Sequence, residues 1–265
     1  MKLRISHTTT YSYDSPVTYG LQQVRLTPKT DSTQTVLDWH MDIEGGTAEL
    51  MCEDQYQNNC TLIQANDRAI QISLTVSGEV ETHNTDGIYG KIYGPAPLWH
   101  FKQNTIRTKA GAGIAELSNM ITNPDGDLSE LHALSAQILN AVPYGHAVTD
   151  VTTTAEEALN IGGGVCQDHA QIFIAALRHA GVPSRYVSGY LMMDDRIDQD
   201  ATHAWAEAHI EGLGWVAFDV SNGISPDERY VRLAVGRDST DAAPVSGMRM
   251  GNAQESMSVT LQVQQ

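Results

Sequence analysis

The chain has 265 residues, enough for one large domain or two modest ones, and its hydrophobic fraction of 41% is ordinary for a folded protein. Its 32 acidic and 16 basic side chains give a formal net charge of −16, which argues against nucleic acid and membrane surfaces as partners. No run approaches the ~18 consecutive apolar residues of a membrane span. The opening residues lack a signal-peptide core, so we expect a cytoplasmic protein.

The first part of the chain shows the period-two alternation of apolar and polar residues that is typical of β-strands. Turn residues separate the alternating runs, as at Glu44-Gly45-Gly46. We therefore predict an antiparallel, sandwich-like β domain over residues 1–90, with the glycine- and proline-rich segment Gly87–Pro97 as its boundary. The alternating runs lie at residues 3–5, 37–43 and 70–76.

The pattern then becomes helical. Apolar residues at helical spacing follow a candidate cap, Ser129, and Pro143 ends the run. A capping box, Thr153 with Glu156 or Thr154 with Glu157, predicts a second, short helix. After three glycines, a longer helix is predicted over residues 165–180, because Gly181 and Pro183 form a strong stop signal.

Strands return after this helix, so the region from 91 to 265 reads as an α+β core with an antiparallel sheet. Residues 238–250 read as a loop, and Val259, Leu261 and Val263 alternate in a closing C-terminal strand. The other predicted strands cover residues 186–193, 203–211 and 215–220.

One of the three cysteines stands out by its position. Cys52 and Cys60 have the features of structural thiols, whereas Cys166 follows three glycines and opens a predicted helix. A helix N-terminus carries partial positive charge and free N–H groups, which favour a thiolate and can stabilise an oxyanion. A buried structural cysteine is the common alternative. The glycine run favours a nucleophile.

A thiolate nucleophile needs an imidazole partner, and the imidazole needs an orienting group. His203 begins a predicted strand whose polar and aromatic face, which also carries Trp205 and Glu207, lies opposite an alanine face. Asp219 is the single acid in the next, hydrophobic strand, where a buried carboxylate requires a partner. We therefore predict a Cys166, His203, Asp219 triad.

These residues carry a resemblance to a known family. The segments Gly164–Ala170, Gly181–Tyr190, His203–Trp205 and Trp215–Asp219 resemble the core of the transglutaminase-like superfamily. Its cysteine, histidine and aspartate positions match Cys166, His203 and Asp219. The opening segment with His7–Tyr13 and the tail Gly236–Asp238 resemble the bacterial subgroup that has an N-terminal β domain. The resemblance implies a papain-like fold and thiol-dependent chemistry at an amide, and members of the subgroup are commonly described as cysteine proteases.

Three functions remain open from the sequence. The favoured one is a cysteine peptidase or amidase that acts on a peptide or protein substrate through a thioester. The second is a protein-glutamine transglutaminase, and the third is a non-catalytic interaction module on the same fold.

Two further residues near the predicted nucleophile have alternative roles. Tyr144 is a candidate second oxyanion donor, although a structural tyrosine is at least as common. His169 lies three residues after Cys166 in the same helix, and with Cys166 and His203 it offers a metal-ligand alternative. No metal-binding spacing supports that alternative, so we predict neither a metal nor a cofactor.

Overall fold

A computed structural model describes residues 1–92, 94–145 and 148–265. The strands of this part of the chain form three sheets, in which all pairings between named strands are antiparallel. Its strands are β1 (Lys2–Val17), β2 (Tyr19–Val24), β3 (Gln34–Glu44), β4 (Gly46–Glu53), β5 (Asn59–Ala65), β6 (Ala69–Thr82), β7 (Ile88–Gly90), β8 (Ser184–Leu191), β9 (Asp198–Gln199), β10 (His203–Ile210), β11 (Gly214–Phe218), β12 (Tyr230–Gly236), β13 (Val245–Met250) and β14 (Glu255–Gln264). Its helices are α1 (Ala112–Ser118), α2 (Leu128–Ala141), α3 (Ala155–Ile161) and α4 (Cys166–His179), preceded by a short 3-10 helix at Leu98–Lys102.

Two of the sheets face each other and form the sandwich-like N-terminal part. One has the strand order β3-β6-β1-β14-β9 and the other β13-β2-β5-β4. The predicted alternation holds for Ile72, Leu74 and Val76, which are buried, but not for Ile70 at the start of the same strand, which is exposed. Leu3 and Ile63, one from each sheet, lie in the shared core. Burial of such side chains, about 1.5–3 kcal/mol each, holds the two layers together.

The last two strands of the chain join these N-terminal sheets. Strand β14 pairs with β1 from Arg4↔Gln264 to Tyr13↔Glu255, and β13 pairs with β2. The interpretation of residues 238–250 as a loop is therefore wrong for Val245–Met250, because a partner strand, not local alternation, holds that segment extended. The division into residues 1–90 and 91–265 stays a prediction, and each of the three sheets contains strands from both sides of it. Tyr93, inside the predicted boundary segment, lies outside the described residues.

The third sheet, which we call the core sheet, has the order β12-β8-β10-β11-β7. Strands β8, β10 and β11 are buried along their whole length. The alanine face of β10 contacts the helices, so small side chains let α4 pack closely. On the opposite face Trp205 packs with Trp215 and Tyr230, which makes this part of the face a second packed interior, while His203 at the start of β10 lines the cleft.

A buried ion cluster satisfies the polar groups on this second face. The Glu207 carboxylate accepts a hydrogen bond from Arg185 Nε at 2.6 Å and another from the Arg232 guanidinium. Burial of Glu207 opposes its ionised form, but the two guanidinium groups dominate and lower its pKa. The carboxylate therefore carries charge inside the core sheet, where it balances two cations.

The helix boundaries follow local signals in the sequence. The capping box of α3 uses Thr154 and Glu157, one of the two predicted pairs. Helix α4 ends before Gly181, whose φ of +87° is the left-handed conformation that favours glycine. The predicted cap at Ser129 is wrong, because Asp127 caps α2 and accepts hydrogen bonds from the N–H groups of Ser129 and Glu130.

Candidate active site

The predicted nucleophile occupies the first position of α4. Cys166 is half-buried, and the preceding residue Val165 donates its N–H to Asp168 Oδ2 at 2.9 Å. The same carboxylate oxygen accepts a hydrogen bond from the Thr149 hydroxyl at 2.7 Å. An acidic side chain in the first helical turn stabilises the helix dipole. Asp168 therefore acts as a cap that fixes the start of α4.

The close contact between Gly164 and the Asp168 cap explains why a glycine is required at one of the three glycine positions before α4. A Cβ atom at Gly164 would lie 2.8 Å from the Cβ of Asp168, closer than real Cβ contacts. Any larger residue would displace the capping carboxylate, so the glycine is needed for close packing of the loop against α4.

His203 and Asp219 meet at the edge of the core sheet. His203 is the first residue of β10, and Asp219 follows β11 directly, in an isolated bridge with Ile224. His203 Nε2 donates to Asp219 Oδ2 at 2.7 Å. Because Nε2 faces the carboxylate and the ring is also hydrogen-bonded to Cys166, Nδ1 is the nitrogen that faces the thiol. The structure brings the three predicted residues together in the order Cys166, His203, Asp219.

The charges around His203 decide its protonation. Burial disfavours the imidazolium, but the hydrogen bonds to Asp219 and Cys166 and the charges of both raise the pKa of His203 to about 10. Burial would raise the pKa of Asp219, yet the hydrogen bond from His203 and its charge lower it. The imidazole is therefore cationic and the carboxylate anionic at neutral pH.

Two residues that the sequence analysis did not identify hold the Asp219 carboxylate. Tyr230 OH and Asn222 Nδ2 each donate to Asp219 Oδ2 at 2.7 Å, on the same oxygen that His203 contacts. These donors add to the forces that lower the pKa of Asp219. Asn222 lies in the turn after Asp219 and has a local signal, whereas Tyr230 comes from β12 and has none in the sequence.

The predicted triad opens into a cleft of about 1320 Å³. One wall is formed by the start of α4 with Ser221, Asn222 and Ile224, and another by β1 and β14 of the N-terminal part. Met257 and Val259 of β14 pair directly with Tyr11 and Thr9 of β1, so both strands contribute to one continuous surface. The loop between β8 and β10 also lines the cleft, and strand β9 within this loop pairs with β14. The acidic residues of this loop that line the cleft are Asp194, Asp195, Asp198 and Asp200.

His7 lies on the cleft wall that β1 provides. Its Nδ1 lies 2.9 Å from Tyr190 OH, and its Nε2 lies 2.9 Å from Thr9 Oγ1. Burial lowers the pKa of His7 to about 4, because neither hydroxyl partner carries a charge that would offset the desolvation. This histidine is therefore neutral at pH 7 and contributes shape and hydrogen bonds to the wall.

Tyr144, the candidate oxyanion donor, lines the same cleft next to the nucleophile. Its backbone forms an isolated parallel bridge with Gly164, and its side chain is 48% exposed. Partial burial and the nearby charge of Cys166 raise the pKa of Tyr144, so its hydroxyl keeps its proton at neutral pH. The geometry places a neutral O–H donor on the helix side of the cleft. His146 and Ala147, which follow closely, lie outside the described residues.

His169 is directed away from a metal-binding arrangement with Cys166. Its Nδ1 lies 2.7 Å from Ser221 Oγ and its Nε2 lies 2.7 Å from the carbonyl oxygen of Val142, so both ring nitrogens have protein partners. Across residues 1–92, 94–145 and 148–265, no three side chains of histidine, cysteine, aspartate or glutamate are grouped to hold a metal ion. Within the same residues no helix has both the length and the apolar character required to cross a bilayer.

The fold and the site define a class: an α+β core of the papain-like type with a cysteine at a helix start, a histidine at a strand start and an aspartate after the next strand. The model of the transglutaminase-like superfamily matches residues 115–220, which include all three of these residues. The model of the bacterial transglutaminase-like N-terminal region matches residues 3–81. The chain therefore belongs to the transglutaminase-like superfamily and has the bacterial type of N-terminal region.

Two mycobacterial relatives of similar length each carry the name uncharacterized protein. One from Mycobacterium leprae is 27% identical over 275 residues, covering 99% of this chain and 98% of the relative. Another from Mycobacterium tuberculosis is 28% identical over 284 residues, covering 97% of this chain and 90% of the relative. A crystal structure described as "a Putative Cysteine Protease from Cytophaga hutchinsonii" superposes with a TM-score of 0.77 at 23% identity, over 99% of this chain and 90% of that one. This likeness shows the fold.

Proposed function

We propose that this protein is a thiol-dependent acyl-transfer enzyme, a cysteine peptidase or amidase that acts on peptide or glutamine-type amides. The observation that carries the proposal is the hydrogen-bonded series of Cys166, His203 and Asp219 at the edge of the cleft. A nucleophile, an adjacent base and an oriented carboxylate in a cleft are the arrangement of nucleophilic catalysis. The intact series argues against the third possibility, a non-catalytic module.

Acylation begins with the Cys166 thiolate beside a cationic His203. The sulfur attacks the amide carbonyl carbon, and the C=O π electrons move onto the oxygen. The resulting oxyanion lies at the N-terminus of α4, where the Cys166 N–H is one donor and Tyr144 OH is the candidate for the second. His203 Nδ1 then donates its proton to the leaving nitrogen as the C–N bond breaks, which leaves a thioester on Cys166.

Deacylation uses the same residues with their roles reversed. Neutral His203 removes a proton from water or from a second amine as that nucleophile attacks the thioester carbonyl. The Cys166 thiolate leaves, and the imidazolium is restored beside Asp219. The hydrogen bonds of Tyr230 and Asn222 to Asp219 support the mechanism, because they hold the orienting carboxylate ionised and in one position.

The nature of the acceptor separates the two enzymatic alternatives. The cleft is wide and opens to solvent, so water at ~55 M has access to a thioester, which favours hydrolysis. One observation favours the transglutaminase alternative, and it concerns the four aspartates that the loop between β8 and β10 presents to the cleft. Asp194 and Asp195 pair with Arg229 and Arg196, which leaves Asp198 and Asp200 to attract a cationic amine. The β1 and β14 wall, furthermore, shields one side of the cleft, as a lid of the kind needed for transfer would do.

The proposed partner is a peptide or protein substrate, with no role for nucleic acid or a membrane, in the cytoplasm. The net charge of −16 supports this choice, since phosphate-rich surfaces would repel the protein. The cleft extends well beyond the three reacting side chains, which suits an extended peptide.

The test is a panel of glutamine-containing peptides incubated with the protein and a labelled primary amine at millimolar concentration. We expect hydrolysis of a peptide bond or side-chain amide, and no activity in the Cys166→Ala variant. Amine incorporation that outpaces hydrolysis would replace the hydrolase with the transglutaminase. If wild type and Cys166→Ala behave alike with every peptide, and no thioester is trapped on wild type, the acyl-transfer proposal fails.

A further inference from the structure

One serine hydroxyl in the cleft is paired with a histidine that the proposed mechanism does not use. Ser221 lies two residues after Asp219 and lines the cleft, and its Oγ lies 2.7 Å from His169 Nδ1. His169 is one helical turn along α4 from Cys166, and both Ser221 and Cys166 line the cleft. The pair forms a link between the start of α4 and the turn that follows Asp219.

The partner of the other ring nitrogen fixes the direction of this hydrogen bond. His169 Nε2 lies 2.7 Å from the Val142 carbonyl oxygen, which can only accept a hydrogen bond. Nε2 must therefore carry the proton. In the neutral ring Nδ1 is then an acceptor, so the Ser221 hydroxyl donates its proton to it. His169 is 1% exposed, and burial lowers its pKa, which keeps the ring neutral.

These assignments leave Ser221 with acceptor capacity only. Its single proton is directed at His169, and the lone pairs of Oγ remain for a group in the cleft. A nucleophilic role for this serine is disfavoured, because the ring that would take its proton is buried and bonded to a neutral carbonyl. His203, in contrast, is bonded to the Asp219 carboxylate.

We propose that Ser221 is a substrate-binding residue that accepts a hydrogen bond from an N–H of the bound amide substrate, and that His169 is the positioning residue that orients the Ser221 hydroxyl. The ligand is therefore an amide with an N–H donor beside the carbonyl that Cys166 attacks. An ester, which has an oxygen at that position, would lose this contact. The inference rests on the proposed amide substrate, and it adds the group of the protein that distinguishes amide from ester.

The test replaces one substrate N–H at a time and needs no turnover. The probe is the peptide acetyl-Ala-Ala-Gln-Gly-Ala-Ala amide. Its analogues carry an ester oxygen in place of each N–H that flanks the glutamine, or a γ-methyl ester in place of the glutamine amide. Binding to the Cys166→Ala protein is followed by NMR titration, with Ser221 intact, Ser221→Ala or Ser221→Thr. Threonine keeps the hydroxyl, so it is the matched control.

We expect one analogue to bind the protein with Ser221 about tenfold more weakly than the parent peptide does, the effect of one hydrogen bond. Ser221→Ala should bind that analogue and the parent equally, and Ser221→Thr should keep the tenfold preference. A serine with a merely structural role would weaken all ligands by the same factor, and that result overturns the inference. The inference is also overturned if the protein with Ser221 intact binds every analogue as tightly as the parent peptide, or if it binds none of them and not the parent either. Labelling of Ser221 by a fluorophosphonate would overturn it as well.

Turnover of the same peptide by the protein with Cys166 intact separates this inference from the proposed function. Binding that depends on Ser221 without turnover supports the amide site and contradicts the acyl-transfer enzyme. Turnover without any dependence on Ser221 supports the enzyme and contradicts the inference.

Discussion

The N-terminal sandwich and the core sheet each bury one histidine at the cleft, and the two histidines differ in charge. His7 and His203 are 2% and 7% exposed, so both lose most of their hydration. The pKa of His7 falls to about 4, whereas that of His203 rises to about 10. His7 contacts two hydroxyl groups, and His203 contacts a carboxylate and a thiol. The charge of the partner, more than burial, therefore decides which histidine is a cation.

The same contrast extends to the two cleft walls. The N-terminal wall presents neutral groups of β1 and β14, while the core wall presents the pair of His203 and Asp219 beside Cys166. Chemistry is thus expected from the core sheet and shape from the sandwich. Four experiments test this division by changing single groups in the two regions.

The largest effect is expected from the cysteines. Cys166→Ala should reduce turnover of any accepted peptide at least ~10⁴-fold, because no other group at the start of α4 can form the thioester. Cys60→Ala, which removes a buried thiol from β5 of the sandwich, should leave turnover unchanged. Steady-state kinetics on matched preparations give both values. A Cys166→Ala protein with more than a tenth of the wild-type rate would contradict the division.

The next effect concerns buried and exposed carboxylates. Glu207→Gln leaves Arg185 and Arg232 inside the core sheet without a balancing charge, so unfolding by urea should show a loss of roughly 3–5 kcal/mol. Glu79, which pairs with Arg4 at the surface of the sandwich, is the control, and Glu79→Gln should leave the unfolding midpoint unchanged. Similar losses of unfolding free energy for both variants would mean that the buried charge cluster of the core sheet contributes no more to stability than the surface ion pair of the sandwich.

A smaller effect is expected from His7 and pH. The unfolded chain binds a proton near pH 6.5, but native His7 does so only near its pKa of about 4. Stability should therefore fall as pH decreases from 6.5 to about 4, by about 3 kcal/mol through this group, and the loss then levels off. In His7→Gln this component is absent, so the free-energy difference between variant and wild type should change by that amount across the window. A constant difference in unfolding free energy would show that His7 is not the neutral group described here.

The smallest effect is a change in one pKa. Asp219→Asn removes the carboxylate charge that supports the His203 imidazolium, so the pKa of His203 should fall from about 10 by roughly one unit or more. The pKa of His7 should not move, since Asp219 is not among the causes of its shift. NMR titration of ¹³C-labelled histidine reports both rings in one experiment. An unchanged pKa of His203 would show that a group other than Asp219 keeps its imidazole charged.

Local signals predicted the positions of the three candidate catalytic residues. Cys166 follows a glycine run at a helix start, His203 begins a strand, and Asp219 ends a hydrophobic one, so each has a short-range pattern. The sandwich was readable for the same reason, because alternation in β6 reports directly which side chains are buried. Backbone conformation and burial in these elements depend on residues that are neighbours in the sequence, which is why the elements could be predicted.

Contacts between distant segments had no such pattern. Tyr230 reaches Asp219 from β12, and His169 reaches Ser221 across the space between α4 and a turn. Strand β13 has a weak alternation and becomes a strand because β2 pairs with it. Each of these features depends on how whole strands and helices pack against one another. The sequence alone could therefore not predict which distant residues become partners.

The pairing of β14 with β1 also sets an order of events during synthesis. Strand β1 is made first and lies between β6 and β14, so one of its edges stays unpaired until residues 255–264 have left the ribosome. Such long-range pairing forms slowly, and an open strand edge invites association with other chains in the meantime. Because β1 and β14 together build one wall of the cleft, a growing chain that already holds Cys166 and His203 has no finished cleft to receive a peptide. The cleft is thus completed only when β14 has paired with β1.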